Sequence, residues 1–298
     1  MSCYRPLTAY RQEDGEVVFR ETGRTVATLQ LPCGQCVGCR VRRAEEWSIR
    51  VMHEAQMHEH CSFVTLTYDD EHLPPYGGLR YSDVQKFLKR LRVRRAEPVR
   101  YFLCGEYGEQ TKRPHYHVGL FGEDFHRDRV PLRQAGDYQV WRSDALEKLW
   151  PLGRSEIGSL TRQSAGYIAR YVLGKLNGEA GEREYRRFDA ETGEVVYVDP
   201  PFCRMSLRPG IGATWFRKFG REVFPRDGVV ADGRVRRVPR FYDREFDKIN
   251  VDNDALSEVK YQRYLDALLH VDDNTRERLA VREIVEQARV GLNRRDEL

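Results

Sequence analysis

The sequence predicts a mixed α+β fold, and three observations carry that prediction. Short runs of β-branched and aromatic residues recur at 63–68, 99–105 and 115–121, as strands require. Stretches with apolar residues at helical spacing lie among them, at 40–58, 82–95 and 161–176. The last stretch, 252–298, is helical in pattern and laced with charge. With 298 residues the chain suits one large domain or two small ones. Its pattern divides into an N-terminal hairpin, cysteine cluster and helix (1–60), a core (61–225) and a C-terminal helical region (226–298).

Residues 16–31 alternate Val, Phe and Leu with polar residues around Glu21–Arg24, which predicts a β-hairpin. Cys33, Cys36 and Cys39 follow, with Gly34 and Gly38 between them. Three thiolates this close can grip one soft-to-borderline cation, and Cys3 is the natural fourth ligand of a tetrahedral structural Zn²⁺. An iron–sulfur pattern would need a further cysteine where Arg43 stands. The helix over 40–58 turns Ala44, Trp47, Val51, Met52 and Ala55 inward. Its His53-Glu54…His58 misses the zinc-protease spacing by one residue, so these histidines and His60 are expected at the solvated surface.

After the strand at 63–68, Ser82–Gln85 reads as a capping box opening a helix to Arg95, with Val84, Phe87, Leu88 and Leu91 buried. Between Leu79 and Arg100 there are eight Lys or Arg against two acids, a stripe suited to a polyanion. Lys86, Lys89, Arg90, Arg92 and Arg94 are the DNA-contact candidates there, with Lys112 and Arg113 on a later loop. The strand at 99–105 ends at Glu106. The next runs from Pro114 to Gly122, and its alternation puts His115 and His117 on one face with Tyr116, Val118 and Leu120 on the other. An antiparallel pairing of these strands brings Glu106 to both imidazoles as a three-ligand metal site; Glu109 is the alternative third ligand.

Residues 126–160 read as a charged connection, an amphipathic stretch (143–150) and a Gly-flanked strand (155–160). Thr161 is the expected N-cap of a helix whose Ala165, Ile168, Val172 and Leu176 form one stripe. Tyr167, Tyr171 and Lys175 recur every four residues and share a face of it. A second hairpin is expected over 185–200. Residues 201–243, rich in Pro, Gly, Arg and aromatics, suit an ordered loop layer along DNA, with Trp215 and Phe216 equally suited to the core. Val259, Tyr261, Tyr264, Leu265, Leu268, Leu279, Val281, Ile284 and Val285 pattern a C-terminal helical pair.

Net charge is only +4, so local clustering rather than overall balance points to nucleic acid. No run approaches the roughly twenty apolar residues of a membrane span, and residues 1–20 lack the apolar core of a secretory signal. Seven cysteines, three in one cluster, fit metal binding or free thiols in a reducing compartment better than a disulfide framework.

A paired-histidine strand followed by a Tyr-x-x-x-Tyr helix resembles the HUH endonucleases, in particular the rolling-circle replication initiators of the Microviridae. The resemblance spans most of the chain: residues 63–70, 106–117, the two-tyrosine helix, 205–215 and 239–244. With the cluster at 33–39 it is most similar to the gokushovirus branch. It implies an HUH-like antiparallel sheet with the His-x-His strand central and helices packed on it, residues 61–225 forming the nuclease core. It further implies a site-specific single-strand DNA endonuclease and ligase with Tyr167 and Tyr171 as nucleophiles aided by Lys175, and Mg²⁺ or Mn²⁺ on Glu106, His115 and His117. The expected partners are single-stranded and supercoiled phage DNA at the origin and the host replication helicase and polymerase, with no membrane, in the host bacterial cytoplasm. A plasmid or transposon HUH nickase and a non-catalytic zinc-containing DNA-binding protein are the alternatives.

Overall fold

A computed structural model of the chain describes residues 3–95, 97–108, 110–174, 178–189, 191–249 and 254–295. In order, the chain forms β1 (Leu7–Gln12), β2 (Val17–Val18), β3 (Thr25–Leu31), α1 (Val37–Ala55), β4 (Cys61–Tyr68), α2 (Tyr81–Val93), β5 (Arg100–Tyr107) and β6 (Pro114–Phe121). There follow β7 (Val130–Ala135), β8 (Tyr138–Arg142), α3 (Asp144–Leu149), β9 (Gly153–Gly158), α4 (Arg162–Gly174) and α5 (Gly178–Glu184). Then come β10 (Arg186–Phe188), β11 (Val195–Tyr197), β12 (Phe202–Met205), α6 (Ala213–Val223), β13 (Gly228–Ala231), β14 (Arg234–Arg237), α7 (Arg240–Ile249), α8 (Asp254–Leu268) and α9 (Arg276–Arg295).

Residues 44–249 form one compact unit and residues 1–43 with 250–298 another. The boundaries expected at 60 and 225 both fall inside the first unit. The reason is packing: Ala44 and Val51 of α1 join an apolar cluster on the sheet, and Tyr242 of α7 hydrogen-bonds His53 of α1 at 2.8 Å.

Among the described residues the larger unit is built on an antiparallel sheet of seven strands in the order β12-β5-β6-β4-β9-β8-β7. The α+β class is therefore observed, and β6 lies inside the sheet, hydrogen-bonded to β5 and β4. Alternation along β6 divides the protein into layers. Tyr116, Val118 and Leu120 face a core with Val84, Phe87, Leu88 and Leu91 of α2 and Leu146 and Leu149 of α3. Phe121, from the opposite face, packs with Phe102 and Cys104 of β5 against Ala165, Ile168 and Ala169 of α4. On that face Gly119 provides the close approach: a Cβ there would stand 3.3 Å from Leu160 and 3.8 Å from Ile168.

Several elements differ from the sequence reading. Residues 16–31 do not form a hairpin of their own, because β1 lies between β2 and β3 and pairs with both. The two-residue β2 offers little ladder, whereas the six residues of β1 match β3. Ser82 is not the N-cap of α2. The helix starts at Tyr81 behind Arg80, whose N–H donates to the Tyr116 hydroxyl and whose C=O accepts from it, each at 2.8 Å. The connection at 126–142 is instead the hairpin β7–β8, its alternation hidden by exposed side chains on both faces of β7. Residues 201–243 are not a loop layer but β12, α6, the β13–β14 hairpin and the start of α7. Tertiary contact decides this: Phe216 is buried at 1% exposure and stacks on Tyr242.

The remaining elements arise where the pattern placed them, with shifts of a few residues. Thr161 caps α4 as expected, accepting from the Ser164 N–H at 3.2 Å while Ser164 Oγ accepts from the Thr161 N–H at 2.8 Å. The second hairpin, β10–β11, is present. In the smaller unit α8 and α9 form, with Leu256 and Leu279 buried, while Tyr261, Tyr264, Ile284 and Val285 are exposed. No helix among the described residues is long and apolar enough to cross a membrane.

Candidate active site

The site is built by register. In the β5–β6 ladder Glu106 stands directly opposite His115, and in the β4–β6 ladder Thr65 stands opposite His117. The side-chain period of two therefore puts Glu106, His115, His117 and Thr65 on the face that α4 covers. One carboxylate oxygen is shared by everything around it. Glu106 Oε1 lies 2.8 Å from His115 Nε2, 3.1 Å from His117 Nε2 and 3.2 Å from the Tyr167 hydroxyl.

The two rings are held from behind. His115 Nδ1–H donates to the Arg113 carbonyl at 3.0 Å, which fixes the tautomer and leaves Nε2 facing the carboxylate. His117 Nδ1 pairs with Thr65 Oγ1 at 3.0 Å. Phe63 stacks on the His117 ring with centroids 5.2 Å apart, and the Tyr167 ring meets it edge-on at 5.0 Å. Burial works to raise the Glu106 pKa, but bonds and charge from the two imidazoles outweigh it, and the carboxyl sits below its ordinary value. For His115, burial pulls down and the Glu106 partnership more than compensates, so its pKa is raised. At His117 burial prevails and the neutral ring is favoured.

These residues suit a divalent cation on three grounds. Two imidazole nitrogens and a carboxylate oxygen lie within 4.8 Å of one another. Glu106 is 1% exposed, yet its Oε2 has no hydrogen-bond partner, an orphan acceptor that a cation would satisfy. Each imidazole also has an outer-shell partner of the kind that orients metal-bound histidines. Mg²⁺ or Mn²⁺ suits a mixed imidazole–carboxylate set with positions left for oxygen ligands.

Tyr167 joins the cluster from α4. Tyr171 lies one turn further along the same helix, but its side chain is outside the described residues, as are Lys175 and Glu109. The basic residues of α2 are not part of this cluster, since α2 packs on the other face of the sheet. There Lys86, Lys89, Arg92 and Arg94 are exposed, while Arg90 donates to the Leu149 carbonyl at 2.9 and 2.6 Å and so fastens α2 to α3. Arg113 donates to the Tyr68 carbonyl at 3.0 Å and to Asp70 at 2.6 Å; Lys112 pairs with Glu184 at 2.9 Å. Cys3, Cys33, Cys36 and Cys39 do converge, in the other unit.

His53 corrects the expectation of a solvated surface. It is 3% exposed, stacks on Trp215 at 3.5 Å and bonds the Tyr242 hydroxyl, and burial pulls its pKa down to about 4. Beside it, Glu54 is fully buried and accepts from Arg100, from the Gly212 N–H at 2.7 Å and from His58 at 3.3 Å. Spacing within α1 gave no sign of these partners, which come from 212 and 242. Thr65 was likewise missed; a Thr opposite a paired-histidine strand was the available signal.

Fold and site together define an α+β protein whose inner strand presents two imidazoles beside a neighbouring strand's carboxylate, under a tyrosine carried by a helix. Comparison with known proteins then places the chain. The family model for the replication-associated protein ORF2 group matches residues 61–176, the span from β4 through α4. The chain is 34% identical over 257 residues to replication-associated protein VP4 of Bdellovibrio phage phiMH2K, covering 81% of this chain and 76% of that one. It is 31% identical over 289 residues to replication-associated protein ORF2 of Spiroplasma virus 4, covering 88% and 86%. A third relative, replication-associated protein ORF4 of Chlamydia phage 1, is 31% identical over 253 residues, 80% of this chain and 58% of that one. No solved structure matches. The chain belongs to the phage replication-associated proteins of the Microviridae type.

Proposed function

We propose that this protein initiates rolling-circle replication as an HUH-type, site-specific single-strand DNA endonuclease and ligase. The observation that carries the reading is the Tyr167 hydroxyl, 3.2 Å from the Glu106 oxygen that both imidazoles also reach. A nucleophile and a candidate cation site are thus within one phosphate's width of each other.

Glu106, His115 and His117 would hold Mg²⁺ or Mn²⁺, which when bound supplies positive charge to the oxygens of the scissile phosphate. The chain's own residues do the rest. A free phenol has a pKa of about 10, so roughly one in a thousand is phenolate at pH 7. The Tyr167 O–H is aligned on Glu106 Oε1, an acceptor that lowers the cost of losing that proton. The phenolic oxygen forms a bond to phosphorus while the bond to the 3′-oxygen breaks, and that oxygen leaves as a 3′-hydroxyl after taking up a proton. The product is a 5′-phosphotyrosyl link and a primer end. A host polymerase can extend that end while a host helicase opens the duplex. Reversal of the same step rejoins ends, and Tyr171, one turn along α4, is proposed as the second nucleophile. Phage DNA at the origin is the proposed partner. The exposed cations of α2 would hold DNA that passes round the sheet edge, not the scissile phosphate.

The test is a labelled origin oligonucleotide incubated with protein and Mn²⁺ and resolved on a denaturing gel. Wild type should form a covalent adduct whose labelled residue, by mass spectrometry, is Tyr167 or Tyr171. Tyr167→Phe combined with Tyr171→Phe should bind the oligonucleotide and form none. An adduct in that double variant, or undiminished metal-dependent cleavage in His117→Ala, would reject the assignment.

A further inference from the structure

The second unit gathers Cys3, Cys33, Cys36 and Cys39, thirty residues apart at one step and three at the others, with all four sulfurs within 4.8 Å of one another. Cys3 Sγ lies 3.7 Å from Cys33 Sγ and 3.9 Å from Cys36 Sγ. Sulfurs at the corners of a tetrahedron around Zn²⁺, each about 2.3 Å from the ion, stand roughly 3.8 Å apart. The alternatives fit less well. A disulfide would draw one pair to about 2.05 Å and leave the other two thiols with no role. An iron–sulfur cluster would spread its cysteines around several atoms instead of one point.

The surroundings are arranged for sulfur that carries charge. Backbone N–H groups of Tyr4, Cys33 and Cys36 donate to Cys36 Sγ at 3.3 Å, Cys3 Sγ at 3.2 Å and Cys33 Sγ at 3.3 Å. Donors of this kind are the outer-shell partners of metal thiolates. Cys36 and Cys39 flank the start of α1 at Val37, where the helix dipole favours negative charge. Cys3, Cys36 and Cys39 are 1%, 6% and 8% exposed. Several buried thiolates repel one another unless a cation sits among them.

We propose that these four cysteines bind a structural Zn²⁺ that pins the N-terminal arm to the start of α1. On binding, four thiols release their protons to solvent and four Zn–S bonds form, with no change of oxidation state. The ion's reach extends along the arm. Arg5 Nε donates to Glu283 of α9 at 2.8 Å, and the Arg282 guanidinium lies 5.9 Å from the Tyr4 ring centroid. Glu283 is itself buried. This unit exposes Tyr261, Tyr264, Ile284 and Val285, so little apolar burial holds it, which is the circumstance in which small domains rely on a metal. The proposal is independent of the endonuclease reading.

Full-length protein is made in zinc-containing medium, purified with reductant and analysed for metals by mass spectrometry. The expected result is about one zinc per chain in wild type and in His115→Ala/His117→Ala, falling at least about tenfold in Cys36→Ser/Cys39→Ser. Those cysteine variants can misfold, so wild type is also loaded with Co²⁺ alone, which should give the thiolate charge-transfer bands of a tetrahedral sulfur site. Removing zinc with a chelator should raise amide exchange across 276–295. The proposal is overturned by wild type lacking zinc, by iron in its place, or by a Cys3–Cys33 disulfide. Zinc lost with the histidines but kept without Cys36 and Cys39 would also overturn it, as would exchange in α9 indifferent to the metal.

Discussion

Thr65→Val isolates the part of the site that positions His117 without touching the ligands. Thr65 Oγ1 is 3.0 Å from His117 Nδ1, and the two residues face each other across the β4–β6 ladder. Valine keeps the β-branched shape a strand prefers and removes the hydroxyl alone. Loss of such an outer-shell partner generally weakens metal binding by about 10- to 100-fold, or roughly 1.4–2.7 kcal/mol. Here Phe63 and Tyr167 still pack on two sides of the ring, so its orientation survives in part and about tenfold is the expected loss. Oligonucleotide cleavage is measured against Mn²⁺ concentration. The half-saturating concentration should rise about tenfold while the rate at saturating Mn²⁺ stays within about twofold. Thr65→Ser should restore the wild-type curve. An unchanged metal dependence would mean that Thr65 does not orient the ring; activity lost at every metal concentration would mean that the fold, not the ligand, was damaged.

Other consequences concern the buried network behind the sheet. Glu54→Ala strips the partner from Arg100 and from the Gly212 N–H, and should cost about 3 kcal/mol, near the low end for breaking a buried pair because Arg100 keeps its bond to the Pro209 carbonyl. Chemical denaturation reads the loss, and a midpoint shift indistinguishable from zero refutes it. His53 supplies a pH signature. Burial holds its folded pKa near 4 against an ordinary 6.5, so the unfolded chain takes up the proton first. Its contribution to stability is complete above about pH 6.5 and declines as pH falls toward 4. Glu54, whose pKa is lowered despite the opposing effect of burial, adds a further loss as pH falls through and below the ordinary carboxylate range. Thermal melts from pH 7.5 to 4 should show this slope, and His53→Gln should flatten its upper part; parallel curves would count against a neutral buried imidazole.

What could be read from the chain, and what could not, divides along the source of the information. The His-x-His strand, its Glu106 partner and the Thr161-capped helix were legible because each is set by local chemistry: a period of two, the end of a neighbouring strand, a hydroxyl three residues before a backbone N–H. His53 and Glu54 were not, because their partners Tyr242 and Gly212 are 189 and 158 residues away and α1 looks like any solvated amphipathic helix without them. The basic run on α2 was legible as charge, but which face of the sheet it covers depends on Val84 and Phe87 meeting Tyr116 and Val118. The β7–β8 hairpin escaped notice since its exposed residues alternate too little to mark a strand.

The residues that would hold the cation lie within eleven positions of one another, on two strands of a single hairpin, whereas the tyrosine comes from 61 positions beyond Glu106. Neighbouring strands close quickly and need little of the remaining chain. The ion's cradle and the attacking group are therefore separable inheritances. A lineage can add, drop or shift a phenol along α4, and so change how many strands it holds at once, while the hairpin beneath goes on gripping the same phosphate.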